Sequence, residues 1–234
     1  MNLIILDKKE ILDGKAEITG KKLEHILTYI KPSVGDTLRA GLLNGLMGEG
    51  VVTCVNDQRL TLELTFSNNP PAPLPLKLIL AMPRPKVLNR VIQHTTSMGI
   101  KEIYIIKTWR VEKSFWESPS IAEQNLKIQL IKGLEQGKDT VMPEIKIRKR
   151  FRPFVEDELP MIIRDSLALV SHPSAECPCP RRIDSPVTLA IGPEGGFIPY
   201  EIDALQKIGF KAVSLGERIL RVETALPFLI GRLF

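Results

Sequence analysis

Val187-Thr188-Leu189-Ala190-Ile191-Gly192-Pro193-Glu194-Gly195-Gly196-Phe197 joins five strand-forming residues to a turn holding three glycines and a proline within five positions. The nearly continuous apolar run Val187–Ile191 is the pattern of a strand buried on both faces, as in a parallel sheet. A turn so rich in glycine lets its own amides and carbonyls approach a ligand. The same rhythm recurs on both sides. Downstream, the spacing predicts a helix over Tyr200–Ile208, a strand near Ala212–Leu215 and a helix over Val222–Phe234. Upstream it predicts strands at Leu76–Ala81, Ile103–Ile106 and Leu167–Ser171, with helices over Lys86–Met98, stopping at Gly99, and Ile121–Gln136. Strand and helix in alternation imply an α/β domain on a parallel sheet.

The rhythm begins after Ser67-Asn68-Asn69-Pro70-Pro71-Ala72-Pro73-Leu74-Pro75, where clustered prolines remove backbone donors and hold the chain extended. We place a linker at residues 71–76, a small β-rich domain at 1–70 and the α/β domain at 77–234. In the first domain Thr37–Leu43, Val51–Val55 and Leu60–Phe66 read as antiparallel strands joined by turns, forming a small β-barrel. Its helix, Lys21–Ile30, carries Leu23, Ile26, Leu27 and Ile30 as one stripe behind a Thr19 or Gly20 cap. His25 lies off that stripe and reads as a surface residue.

Length and composition exclude several classes. The 234 residues, 44% hydrophobic and 25% charged, suffice for a self-sustaining core and rule out global disorder. No apolar run reaches the roughly 18 residues of a membrane span, and Leu3–Leu6 meets Asp7-Lys8-Lys9-Glu10 too early for a signal peptide, so a cytoplasmic protein without membrane association is expected. Cys54, Cys177 and Cys179 are odd in number and poorly spaced for a disulfide framework or zinc, so reduced thiols and no metal are expected. A net charge of +5 and a sequence pI near 9.1 suit mild affinity for polyanions.

Ligands of open parallel sheets sit at the carboxyl ends of strands. Three segments occupy such ends: Leu169-Val170-Ser171-His172-Pro173, Ala190–Phe197, and Ser214-Leu215-Gly216-Glu217-Arg218-Ile219-Leu220-Arg221. The second lacks the Lys-Ser/Thr of a triphosphate loop and does not fit the G-x-G-x-x-G dinucleotide spacing. A purely structural turn explains one or two of its glycines, but not Glu194 or a second glycine turn at the next strand end.

The pair Ile191-Gly-Pro-Glu-Gly-Gly-Phe197 and Leu215-Gly-Glu-Arg-Ile-Leu-Arg-Val-Glu-Thr-Ala225 resembles the RsmE family of ribosomal RNA uridine methyltransferases, in the SPOUT superfamily. The resemblance implies an N-terminal PUA-like barrel, a C-terminal α/β domain tied in a trefoil knot, and S-adenosylmethionine as methyl donor. It also implies a uridine N3 in small-subunit (16S) rRNA as target, the small ribosomal subunit as partner, and a homodimer. Periodicity alone draws an unknotted sheet, since threaded chains are nearly absent from proteins. Carried onto this chain, the cofactor loops comprise His172 and Pro173; Gly192, Pro193, Glu194, Gly195 and Gly196; and Leu215, Gly216, Ile219 and Leu220.

Uridine N3–H is a weak acid that keeps its proton at neutral pH, so the protein has to favour the deprotonated base and align it for attack on the methyl. Arg221 is the candidate to stabilise charge on the base, with Glu223 orienting it or relaying the proton; an ion pair at a helix start is the alternative for both. The chain departs from the commonest family pattern at Ser97-Met98-Gly99, where Glu-Leu-Gly is usual. It departs again at Glu135-Gln136-Gly137-Lys138-Asp139-Thr140, where arginines usually follow the Glu-Gln pair. Arg84, Lys86, Arg110 and Lys138 supply cations instead. The densest basic run, Ile147-Arg148-Lys149-Arg150-Phe151-Arg152, fits a phosphate-tracking surface or a solvated loop. Trp109 and Trp116 fit stacking platforms or, as their size favours, partly buried core. The terminal helix, apolar on more than one side, suits a dimer interface. Two other readings keep the fold: a noncatalytic RNA-binding or ribosome-assembly factor, and a methyltransferase acting at another RNA position.

Overall fold

The computed structural model describes residues 2–234 and divides into two compact units. One comprises residues up to Ala72 together with Thr96–Gly99 and Leu130–Met142; the other comprises Pro73–Thr95, Ile100–Gln129 and Pro143–Phe234.

The first unit holds β1 (Ile4–Leu6), β2 (Ile11–Leu12), β3 (Lys15–Ile18), α1 (Gly20–Tyr29), β4 (Thr37–Leu42), β5 (Met47–Val55) and β6 (Leu60–Asn68). Its sheet runs β1-β4-β5-β6-β3-β2, antiparallel except where β1 pairs parallel with β4. Alternation sets the faces: in β5, Gly48, Gly50 and Val52 are buried while Glu49, Val51 and Thr53 are exposed. Leu23 and Ile26 of α1 close the core over Ile4, Leu6, Ile18, Leu60 and Leu62. The sequence pattern missed β1 to β3. They are two to four residues long, and β1 is apolar throughout because both its faces are covered: Ile4 and Leu6 join the α1 core, while Leu3 and Ile5 pack with Leu134.

The second unit contains β7 (Leu76–Ala81), α2 (Pro85–Ser97), β8 (Glu102–Ile106), α3 (Glu123–Gly137, whose last two turns lie in the first unit), β9 (Glu144–Arg148), α4 (Phe151–Pro153), α5 (Leu159–Ile163), β10 (Leu167–Ser171), β11 (Val187–Ile191), α6 (Pro199–Lys207), β12 (Lys211–Val213) and α7 (Val222–Leu233). The sheet order is β12-β10-β11-β7-β8-β9 and every pairing is parallel, the α/β architecture expected. All five residues of β11 are buried, as its apolar run requires. A π-helical turn at Phe154–Glu158 links α4 to α5 and sends Phe154 and Val155 into a core with Ile79, Ile106, Val170, Ala190 and Leu205. The basic run is therefore part strand end and part helix start, where a loop was one of the two expectations.

One register decides what the sheet can do. Ser171, the last residue of β10, pairs with Ile191 on one side and Val213 on the other. The turns after β10, β11 and β12 thus leave the same edge side by side. β12 is shorter than expected because Ser214 turns to another partner: its N–H donates to the Cys177 carbonyl and its carbonyl accepts from Cys179 N, both at 2.8 Å. No helix among the described residues is long and apolar enough to cross a membrane.

Candidate active site

Those three turns enclose a cleft of about 560 Å³. Of the predicted cofactor residues, His172, Pro173, Gly192, Pro193, Glu194, Gly195, Gly196, Ile219 and Leu220 line it, and Arg221 stands beside them. Leu215 and Gly216 do not reach the lining, nor does Glu223. Ser171, Phe197, Val222 and Ala225 of the wall lie inside the strand-end segments or family motifs that the sequence marks, although none of them is a predicted cofactor residue, and Ser174 and Pro199 lie outside them.

The turn after β11 is closed by Gly196 N–H on the Pro193 carbonyl at 2.8 Å. A methyl group on Gly192 would sit 3.0 Å from Phe197 N and 3.3 Å from the Gly196 carbonyl carbon, so the close approach of turn to strand requires glycine there. Glu194 Oε1 accepts Arg84 N–H at 3.0 Å, and the Arg110 guanidinium donates to the Gly195 carbonyl. Two neighbouring loops thereby brace this turn from outside. The turn after β10 is fixed by His172 N–H on the Val213 carbonyl, 2.9 Å, and by Ser174 N–H on His172 Nδ1, 3.3 Å. The amides of Gly195, Leu215, Gly216 and Leu220 take no part in the main-chain hydrogen bonds that close the turns.

Arg221 is exposed and caps α7 through its carbonyl, which accepts Thr224 N–H at 2.9 Å and Ala225 N–H at 2.7 Å. Glu223, in the first turn of that helix, has a buried Oε2 without a hydrogen-bond partner. A buried carboxylate oxygen left unpaired is costly, so the ion pair entertained for it at the helix start is not what it makes here.

Glu201 is a residue that sequence reasoning did not single out. It is 2% exposed; Oε1 accepts Trp109 N–H at 2.7 Å and Oε2 accepts Ile198 N–H at 2.9 Å. Its position three residues into α6, after Pro199, was the only available signal. Of the two tryptophans read as stacking platforms or, by size, partly buried core, Trp109 is 81% exposed and Trp116 is half-buried. Among the basic candidates, Arg148 is held by Glu158 at 2.7 Å and Arg152 by Glu156 at 2.8 Å, while Arg84, Lys86, Lys149 and Arg150 are exposed. Lys138 belongs to the other unit, at the end of α3. Its segment does structural work there: Thr140 Oγ1 donates to the Gly45 carbonyl, and burial pushes the Glu135 carboxyl up to about 6 against the pull of Lys22 and Lys132.

A family model described as an RNA methyltransferase domain matches residues 70–233. Among relatives, the ribosomal RNA small subunit methyltransferase E of Treponema pallidum is 28% identical over 235 residues, covering 96% of this chain and 87% of its own. That of Borreliella burgdorferi is 26% identical, covering 96% and 94%. Two solved structures share the fold. A Neisseria gonorrhoeae methyltransferase E bound to S-adenosyl methionine has a TM-score of 0.73 at 20% identity, covering 98% of this chain and 95% of its own. A Legionella pneumophila protein in complex with the same cofactor has a TM-score of 0.72 at 23% identity, covering 97% and 96%. The model spans well over half of the chain, across every turn of the cleft, and with these relatives it makes the protein a member of the RNA methyltransferase domain family, in its RsmE branch.

Proposed function

We propose that the cleft binds S-adenosylmethionine and that the protein methylates uridine N3 in 16S rRNA of the small ribosomal subunit, in the cytoplasm. The observation that carries this reading is the register placing Ser171, Ile191 and Val213 abreast, so that three turns share one cleft with Arg221 on its wall. The cleft suits the donor. Its volume lies in the range of small-ligand sites, and Gly192 on its wall has its side-chain space closed by the main chain of its own turn. When bound, the donor supplies a methyl already activated on a sulfonium.

The chain's own residues do the rest. The turns after β10 and β11 would hold the donor through main chain, together with Ile219 and Leu220 of the third, whose Leu215 and Gly216 lie behind the lining. Arg221 places its guanidinium against the uracil oxygens and favours the deprotonated base. Glu223 orients Arg221 or receives the N3 proton. Arg84, Lys86, Arg110, Lys149 and Arg150 contact RNA phosphates, with Arg148, Arg152 and Lys138 as further cations.

The family's finer features belong to the same reading. A PUA-like barrel at 1–70 is supported by the six-stranded sheet around α1. A trefoil knot is supported by the β10–β11 connection, which pairs at Cys177 and Cys179 with Ser214, and at Ile183 N–H with the Leu233 carbonyl at 2.6 Å. A homodimer through α7 is supported by exposed Phe228 and Phe234 beside Arg181 and Arg182.

The test is nucleoside mass spectrometry of small-subunit rRNA from a strain lacking the protein. Loss of N3-methyluridine, restored by the wild type and not by Arg221→Ala, is expected. An unchanged digest overturns the uridine assignment, and calorimetry showing no donor binding to folded protein overturns the enzyme reading. Light scattering at micromolar protein is expected to give twice the chain mass.

A further inference from the structure

Trp109 is a large aromatic left 81% exposed, and its loop is fastened at three points by contacts that none of its own side-chain packing explains. Lys107 N–H donates to the Arg148 carbonyl at 3.0 Å, tying the loop to the end of β9, where Lys149 and Arg150 follow exposed. Trp109 N–H is held by the buried Glu201 carboxylate at 2.7 Å. Arg110 reaches the Gly195 carbonyl and lines the cleft itself. The loop that carries the indole is thus tied to the end of the densest basic run through Lys107 and to the cofactor turn through Arg110. Burying the Glu201 side chain is expensive unless both its oxygens are hydrogen-bonded, and they accept the Trp109 and Ile198 amides.

Resting on the methyltransferase reading above, we propose that Trp109 is a base-stacking residue for the RNA substrate, receiving the unpaired nucleotide next to the one that enters the cleft. Bases stack on exposed aromatics flanked by cations regardless of their identity, and the local charge suits a phosphate chain: Lys107, Arg110 and Lys113 against Glu112, with Lys149 and Arg150 beyond. In this role Trp109 positions the strand and Arg110 links its placement to the cofactor turn. Neither indole nor ring contact is needed for the donor to bind.

The chain has two tryptophans, so a Trp116→Phe background leaves Trp109 as the sole indole reporter. With saturating donor, a single-stranded oligouridylate is expected to quench its fluorescence. Using small subunits from a strain lacking the protein, Trp109→Ala should raise KM for subunits roughly ten- to a hundredfold while the donor Kd stays within about twofold. Trp109→Phe should recover most of that loss. The proposal is overturned if Trp109→Ala keeps the wild-type KM, if oligouridylate leaves the indole emission unchanged, or if donor Kd rises in step with KM. It is also overturned if Trp109→Ala turns a dimer into monomers, since a second copy then covers the indole. If the wild type binds donor but methylates no subunit, the methyltransferase reading fails, and the quenching experiment still decides the RNA contact separately.

Discussion

The turn after β11 and the turn after β12 leave the same edge of one sheet, yet they are built to different standards of rigidity. Gly192–Gly196 is crossed by its own hydrogen bond, braced by Arg84 and Arg110, and anchored at its end by buried Phe197. Leu215–Leu220 is fastened only at its flanks, by Ser214 N–H on the Cys177 carbonyl and by the Arg221 carbonyl at the start of α7. Between them Ile219 is 81% exposed, and Gly216 stands at a φ of +110° with open space where a side chain would go. Few buried contacts and few hydrogen bonds mark the parts of a protein that reorganise at low cost. In the proposed donor complex one side of the cleft is preformed, and the other takes its final shape around the donor, which gives up some binding energy to order it.

Substitutions can break this contrast, beginning with the largest effect. In Gly192→Val the added Cβ is forced against Phe197 N and the Gly196 carbonyl carbon, main-chain atoms of a turn that is already closed, and two methyls add to the bulk. Overpacking against backbone costs roughly 1–3 kcal/mol, and it displaces the binding surface itself. Donor affinity should fall at least about tenfold by calorimetry while the thermal transition persists. In Gly216→Ala the added methyl meets nothing, and the penalty is the left-handed backbone alone, on the order of 1–2 kcal/mol. Because the loop can shift to relieve it, affinity should fall only about three- to tenfold. Equal losses in the two variants would mean that both turns are equally stiff.

Much of this was readable beforehand, and the boundary of legibility follows physical lines. Strands Leu167–Ser171 and Val187–Ile191 were bounded correctly because each is an apolar run ended by turn chemistry. The family motifs likewise marked two turns. Their convergence was not readable, since β12 lies beside β10 and not beside β11, and strand order is set by crossover packing that no local pattern encodes. Glu201 was not legible for a related reason, since the loop it positions lies 92 residues away, and for Trp109 the size of the indole favoured burial over the stacking alternative although the side chain is exposed. The Glu135-Gln136 segment reads in the sequence as a site of missing arginines, whereas Glu135 is half-buried and Thr140 anchors to Gly45.

The braced turn can be probed more gently at Gly195. A methyl there meets Arg110 Cδ at 3.2 Å, which the exposed side chain can move, and Cβ at 3.3 Å, a contact tight by only a few tenths of an ångström. Arg110 can swing aside, so Gly195→Ala should weaken the donor about two- to threefold, far less than Gly192→Val in the same turn. A loss as large as that of Gly192→Val would show that the Arg110 brace, and not the closed strand-to-turn packing, is what keeps the preformed side in shape.

The smallest effect separates bracing from charge. Glu194 is exposed and its visible task is to accept Arg84 N–H, which a glutamine carbonyl does equally well. If bracing is its whole contribution, Glu194→Gln should bind donor within about twofold of wild type, while Glu194→Ala, which leaves the Arg84 amide to water, should bind roughly two- to fourfold more weakly. If instead the carboxylate attracts the cationic donor, glutamine should do as badly as alanine, and its deficit should shrink as added salt screens the exposed charge. Calorimetry of both variants at two ionic strengths decides between these. A salt-independent result with glutamine near wild type would assign Glu194 to the rigidity of its turn and leave the donor's charge to groups on the other, unbraced side.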